Sequence, residues 1–395
     1  MKVNIGNDLY LKGRIGWKGL SKDEYLERSD FRIINGYSLK DGYIDWNIAG
    51  YISKERYEES PEIKLKLNDI LISKDGTIGK VGIVRNLLSP TTVASGIFVL
   101  RNIIDDKLDT EYLFQYLKSP NFKTFINAVK ASGSTIIHLY QRDLAKLEIE
   151  VPNLGVQKSI AKILFSIDSK IELNNRINAE LEAMAKTVYD YWFVQFDFPD
   201  KNGKPYKTSG GKMVWNEELK REIPEGWESG ELNKIGDIIG GSTPSKAIKE
   251  NFCIGNGIPW ITPKDLSIHK GKKYITRGEL NVTESGLKSA SLKIMPAGTV
   301  LLSSRAPIGY LAISRSNVTT NQGFKSFVPN SRFSTEFIFY TIKNLIPEIE
   351  ANSSGSTFQE VSTSTLGSIK TVLPTNDILN IFDKKLNPFL NNKIS

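Results

Sequence analysis

The residues with which this sequence could do catalytic chemistry are few. They are two histidines, His138 and His269, a single cysteine, Cys253, and a spaced set of charged groups, Pro199-Asp200 followed by Glu218-Leu219-Lys220. The last set has the carboxylate and lysine spacing that a metal-dependent nuclease uses, but a nuclease carries those groups on adjacent strands that converge on the metal. Here they flank a Gly-rich polar run inside Asp197 to Gly226, a stretch rich in Gly, Lys, Ser and Pro that reads as an exposed linker. The two histidines lie too far apart to found an ordinary zinc site or a histidine acid–base scheme. None of the Gly-Lys pairs, at Gly79, Gly203, Gly211 and Gly271, is followed by Ser or Thr, so no phosphate-binding loop is present. A Gly-rich dinucleotide fingerprint is missing, as is the Asp/Asn-Pro-Pro-aromatic tetrapeptide with which amino-methyltransferases hold a flipped base. The expectation is a chain with no catalytic, cofactor or metal site of its own.

The polar loops suit a different chemistry, the reading of DNA. Forks, amides and hydroxyls that suit base edges and phosphates are supplied by Arg14, Trp17, Lys18, Lys74, Thr77, Ser134, Thr135, His138 and Gln141. A second group further on comprises Ser242, Thr243, Trp260, Thr262, Lys264, Ser304, Arg305, Asn321, Gln322, Ser356, Thr357 and Gln359. Any one of these also fits a solvated turn, and Trp17 and Trp260 fit either a base stack or a core anchor.

The two groups correspond because the chain repeats itself. Asn68 to Arg85 parallels Ala297 to Arg315: an apolar strand ends in Ser, a loop closes on Ile-Gly (Gly79, Gly309), and a second apolar strand follows. Thr110-Glu-Tyr-Leu-Phe parallels Thr335-Glu-Phe-Ile-Phe, an amphipathic helix opened by Thr and Glu. Ser132-Gly-Ser-Thr135 parallels Ser354-Gly-Ser-Thr357, and both are followed by an alternating strand stopped by proline, Leu144 to Pro152 and Leu366 to Pro374. Four features in one order argue duplication.

Between the copies, Ile160, Leu164, Ile167, Ile171, Asn174, Asn178, Leu181, Ala185, Val188 and Trp192 alternate by four and three, a heptad seam with asparagine at two positions. About 36 helical residues at ~1.5 Å each make a rod of roughly 50 Å. After the second copy Phe382, Leu386 and Phe389 restart the seam, but Pro388 predicts a short, broken helix. Most of the first seam therefore lacks an intramolecular partner, and another chain is expected to cover it. The expected fold is α+β with a pseudo-two-fold internal repeat. Its parts are a first recognition domain (1–153), a spacer helix (154–196), a linker (197–226), a second recognition domain (227–374) and a short C-terminal helix (375–395).

Charge agrees with a polyanionic partner. The chain of 395 residues carries a formal +8, and Gly240 to Ser316 alone holds eight Lys and three Arg against four acids. The first hundred residues are nearly balanced, with fifteen basic groups against thirteen acids, so a site there rests on a few placed side chains. With no apolar run long enough to span a bilayer, no leader pattern and one cysteine, a cytoplasmic location is expected.

Taken together, the chain resembles the specificity subunit of type I restriction-modification systems. Gly240-Gly-Ser-Thr-Pro-Ser245, Ile258-Pro-Trp-Ile-Thr262 with Asp265-Leu266, and Ser303-Ser-Arg-Ala-Pro-Ile-Gly309 are similar to that family's target recognition domain. So is GRIGWKGL (Gly13 to Leu20) followed by Ile34-Asn-Gly-Tyr37 and Gly42-Tyr-Ile-Asp-Trp46. The seam helix, Tyr189 to Pro199 and Pro224-Glu-Gly-Trp227 resemble the conserved central spacer. The resemblance implies that each domain reads one half of a split DNA site and that conserved helices pair antiparallel. It also implies recruitment of two methyltransferase subunits, with restriction subunits joining later, and assigns S-adenosylmethionine, ATP and Mg to those partners. The short second helix also leaves open a shortened or silent variant that pairs with another chain.

Overall fold

A computed structural model of the chain describes residues 1–14, 19–40, 42–131, 138–268, 271–354 and 359–391. Two compact units, Met1–Leu173 and Asn174–Ser395, divide it, and the boundary falls inside the helix Leu154–Tyr189.

In the first unit, four strands lie in the spatial order Tyr10–Gly13, Ile97–Arg101, Ile70–Ser73, Val81–Ile83, all antiparallel. The strand Ile70–Ser73 is buried along its whole length. Ile70 and Ile72 face the helices Thr110–Lys118 and Pro120–Ala131 through Leu113, Phe114, Leu117, Phe122 and Ile126. Leu71, on the opposite face, meets Ile34, Leu39, Ile63 and Val93, which belong to or adjoin a smaller sheet ordered Gly50–Ile52, Phe31–Ile34, Thr91–Val93. A strand covered on both faces needs apolar side chains at every position, which is why Ile-Leu-Ile shows no polar alternation. Each such side chain contributes about 1.5–3 kcal/mol by leaving water.

The second unit repeats this plan. Gly236–Gly240, Phe324–Pro329, Val300–Ser303 and Leu311–Ser314 stand in the same order, with Tyr274–Ile275 added at one edge. Val300 and Leu302 face the helix Thr335–Ala351, and Leu301 faces Ile261, Met295 and Val318. The smaller sheet recurs as well: Phe31–Ile34 runs parallel to Thr91–Val93 as Ile258–Ile261 does to Thr319–Thr320. Even the closing pair is repeated, Lys2–Asn4 with Glu148–Glu150 and Glu228–Glu231 with Lys370–Leu373.

Several expectations need correction in detail. The two amphipathic helices are capped one residue before their Thr: the Asp109 carboxylate accepts from the Tyr112 N–H at 2.9 Å, and the Ser334 hydroxyl from the Phe337 N–H at 3.3 Å. The strands expected from Leu144 and Leu366 start later, because Gln141–Leu144 and Thr363–Ser368 are helical turns. Pro388 does not break the C-terminal helix, whose backbone runs from Asn376 to Asn391. The stretch 197–226 is folded: Phe198 stacks on Tyr206 (4.6 Å) and on Trp227 (4.9 Å), and Met213–Asn216 pairs with Arg221–Pro224. Its high Gly and Lys content reflects tight turns on a small aromatic core.

The seam of the long helix is covered over only part of its length. Ile160, Leu164, Ile167 and Ile171 are exposed, and Asn174, Asn178, Leu181 and Val188 are half-buried. Ala185 and Trp192 are buried with Tyr189 and Phe193 in the core of the second unit. There the C-terminal helix supplies Leu379, Phe382 and Leu386, and the Phe382 ring lies 5.9 Å from Trp192 and 4.9 Å from Phe193. Burial pushes the Tyr189 phenol far up, and its hydroxyl shares a 3.0 Å hydrogen bond with Thr341. In the first unit the helix is fastened by Gln157, buried and bonded to Lys107 O, Pro152 O and the Asp109 N–H, and by Asp168. Burial opposes ionisation of Asp168, but hydrogen bonds from Gln115 (2.8 Å) and Lys118 (2.6 Å) hold its carboxyl below the usual range.

Candidate nucleic-acid interface

In the second unit the residues chosen from the sequence come together on a strip of four loops. The Ser242 N–H donates to Thr320 O (3.0 Å), Ser304 N–H to Gly323 O (2.8 Å), Val361 N–H to Ser304 O (2.9 Å), and Ala306 N–H to Gln359 O (3.2 Å). Ser242 and Thr243 therefore lie beside Asn321 and Gln322, which lie beside Ser304 and Arg305, which lie beside Gln359. The Thr243 hydroxyl bonds Gln322, and the Asn321 side chain accepts from the Gly323 N–H at 3.0 Å. Gly241 makes the first approach possible, since a Cβ there would stand 2.0 Å from Asn321 O.

Hydrogen bonds at equivalent positions build the first unit. Lys74 N–H donates to Gly96 O (2.9 Å) and Leu139 N–H to Lys74 O (2.9 Å), so the hairpin loop again lies between two others. The loop itself is held alike in both copies. The Ser73 hydroxyl donates to Thr77 O (2.6 Å) and accepts from Lys80 N–H (2.9 Å); Ser303 donates to Pro307 O (2.8 Å) and accepts from Tyr310 N–H (2.8 Å). Gly79 (φ 83°) and Gly309 (φ 89°) close the two loops, and an added Cβ would meet Ile126 or Ile346 at 2.9 Å. Left-handed backbone and helix contact together explain the Ile-Gly of the repeat.

Several chosen residues have other work. Arg14 is buried: its Nε donates to Val93 O at 3.1 Å, its Nη2 to the Thr92 hydroxyl at 3.4 Å, and Glu59 lies 3.8 Å from Nη1. Burial first, and the nearby Arg56 second, hold its pKa below the ordinary arginine value. It occupies the place of Gly241 and bridges with a guanidinium the gap that the second copy closes by backbone contact, so it leaves the set of contact candidates. Ser304 is also buried, and its hydroxyl donates to Gly323 O at 3.3 Å. Trp260 is a core anchor, buried, with Nε1 donating to Ser242 O at 3.1 Å, so it holds the strip from beneath. Thr262 donates through its hydroxyl to Asp265 (2.6 Å) at the start of the helix Pro263–Ile268, and Gln141 donates to Leu11 O at 3.1 Å. Lys264 is exposed and paired with Glu279 at 2.8 Å.

Exposed or half-exposed on the strips are Lys74, Thr77, His138, Thr243, Arg305, Asn321, Gln322 and Gln359. The Lys74 ammonium lies 5.1 Å from the Phe98 ring, and burial lowers its pKa. Trp17, Lys18, Ser134, Thr135, Ser356 and Thr357, with His269, lie outside the described residues. The sequence reading missed three members of the strips: Asp75 and Glu360, which pair with His138 and Arg305, and Lys325, which lies 3.7 Å from Glu360.

The nuclease-like set is dispersed in structural roles. Asp200 accepts from the Asn202 and Lys204 N–H groups (2.8 Å each), Glu218 accepts from the Ser229 hydroxyl (2.8 Å), and Lys220 pairs with Glu217 (3.1 Å). Among the described residues no group of three or more His, Cys, Asp or Glu could hold a metal ion, and no helix is long and apolar enough to cross a membrane.

Comparison with known proteins gives the same duplication. Residues 18–183 and 224–394 each match the model of the type I restriction modification DNA specificity domain. The chain belongs to that family. As a specificity subunit it is a DNA-recognition component and carries no catalysis. It is 44% identical over 170 residues to the MjaIX specificity subunit of Methanocaldococcus jannaschii, an alignment spanning 42% of this chain and 39% of that one. To the HindI specificity subunit of Haemophilus influenzae it is 26% identical over 328 residues, 70% of each. The crystal structure of a type I S subunit from M. genitalium shares the fold, with a TM-score of 0.56 at 18% identity over all of this chain and 91% of that one.

Proposed function

We propose that this specificity subunit sets the target of a type I restriction-modification complex, each recognition domain reading one half of a bipartite double-stranded DNA site with its strip of loops. The observation that carries this reading is that both copies lay the same loops side by side, through hydrogen bonds at equivalent positions, while presenting different side chains. One framework with two sets of polar groups suits two different half-sites. In this reading the exposed seam from Ile160 to Ile171 takes part in docking two methyltransferase subunits, restriction subunits join them, and S-adenosylmethionine, ATP and Mg are bound by those partners.

The test is co-purification of the chain with the products of neighbouring genes, followed by DNA binding of the purified complex across a salt series. Binding that falls steeply with salt, as phosphate contacts require, supports the reading. DNA binding that is absent or indifferent to salt would leave a scaffold and end it.

A further inference from the structure

The two strips differ most at one place. Positions 74 and 304 are equivalent by their hydrogen bonds, as are 139 and 361, so Asp75 stands where Arg305 does and His138 where Glu360 does. In the first domain an acid on the hairpin loop pairs with a histidine on the following loop. In the second the polarity is reversed, with Arg305 Nε donating to Glu360 at 2.8 Å. Two backbone hydrogen bonds that join these loops recur in both, so that framework accommodates either order of charge. The side chains are 30–46% exposed, and pairs so placed add little to stability. Nor does Arg305 spend its whole guanidinium on Glu360. Nε is bonded, while among the described residues nothing bonds the two terminal nitrogens. That leaves a planar pair of donors on a side chain 45% exposed and held through Nε, the group that matches guanine O6 and N7.

We propose that this pair is where the two half-sites are told apart: Arg305, positioned by Glu360, reads a guanine, and Asp75, at the equivalent place, accepts from the exposed amino group of cytosine or adenine. The inference rests on the function proposed above and names residues for it. His138 lies against Asp75, so the carboxylate does not face the DNA without a partner.

The experiment is selection of bound sequences from a random DNA pool by the purified complex, for the native chain and for R305Q, R305K, E360Q and D75N. The native complex should return one bipartite motif. R305Q and R305K should each lose about ten- to a hundred-fold of the preference at one guanine, in one half only, leaving other positions intact. R305K keeps the charge and lacks the fork, so it separates base reading from phosphate contact and serves if R305Q fails to assemble. E360Q should weaken the same position by less, and D75N should change one position in the other half. An unchanged motif with uniformly weaker binding in both Arg305 variants would make Arg305 a phosphate contact and overturn the proposal. A native complex that returns no bipartite motif would instead overturn the function on which it rests.

Discussion

The two recognition domains agree where the chain must fold and differ where it must choose. Strand order, the closing strand pair, the Ser73 and Ser303 hydroxyl bridges and the Gly79 and Gly309 turns coincide. The pair at the loop tip is inverted, and a gap closed in one domain by Gly241 is bridged in the other by the buried Arg14. Buried positions are restricted by packing and exposed loop tips are not, so after a duplication the tips are where divergence costs least and changes recognition most.

The largest expected effect breaks the comparison at its helices. Phe382 and Ile160 occupy equivalent positions, yet Phe382 is fully buried against Trp192 and Phe193 while Ile160 is exposed. Phe382→Ala should cost about 3–5 kcal/mol in denaturant unfolding. Ile160→Ala should cost less than about 1 kcal/mol and show its effect instead in partner binding. An equal loss of stability in both would contradict the half-covered seam.

Next in size is Arg14→Ala. Removing a buried guanidinium leaves Val93 O and Glu59 without it and should destabilise by about 2–4 kcal/mol, with no change in the bases preferred. A thermal melt unaltered by this change, together with altered sequence preference, would restore Arg14 as a contact residue. Gly79→Ala and Gly309→Ala sharpen the comparison, because each has a positive φ (83° and 89°) and would meet an isoleucine, Ile126 or Ile346, at 2.9 Å. Both should destabilise by about 1–3 kcal/mol and by similar amounts, and a large inequality would show that the two loops are not equivalent. Smallest is the double change Asp75→Asn with His138→Asn, which should move stability by less than about 1 kcal/mol.

How much of this was legible follows from burial. Apolar strands, Ile-Gly turns and the helix opened at Thr-Glu repeat because packing and backbone geometry leave few residues able to serve, so a self-comparison finds them. The loops that compose the strips are legible too, since polar groups beside repeated turns stand out. What a single sequence does not carry is direction. Arg14 and Trp260 look like contact residues by type, and only the fold shows one turned inward to Val93 O and the other to Ser242 O. Pro388 looked like a break, but the helix continues through it to Asn391. Asp75 and Glu360 do not stand out by type, because acids repel DNA until their cationic partners, far along the chain, are set beside them.

The central claim, that one framework repeated with different tips reads a split DNA site, is tested most directly by sequencing adenine methylation in the host with and without this gene. The account predicts that deletion abolishes methylation at one asymmetric bipartite motif and leaves every other motif intact. A methylation pattern that stays the same on deletion, although the chain co-purifies with a methyltransferase, would contradict it.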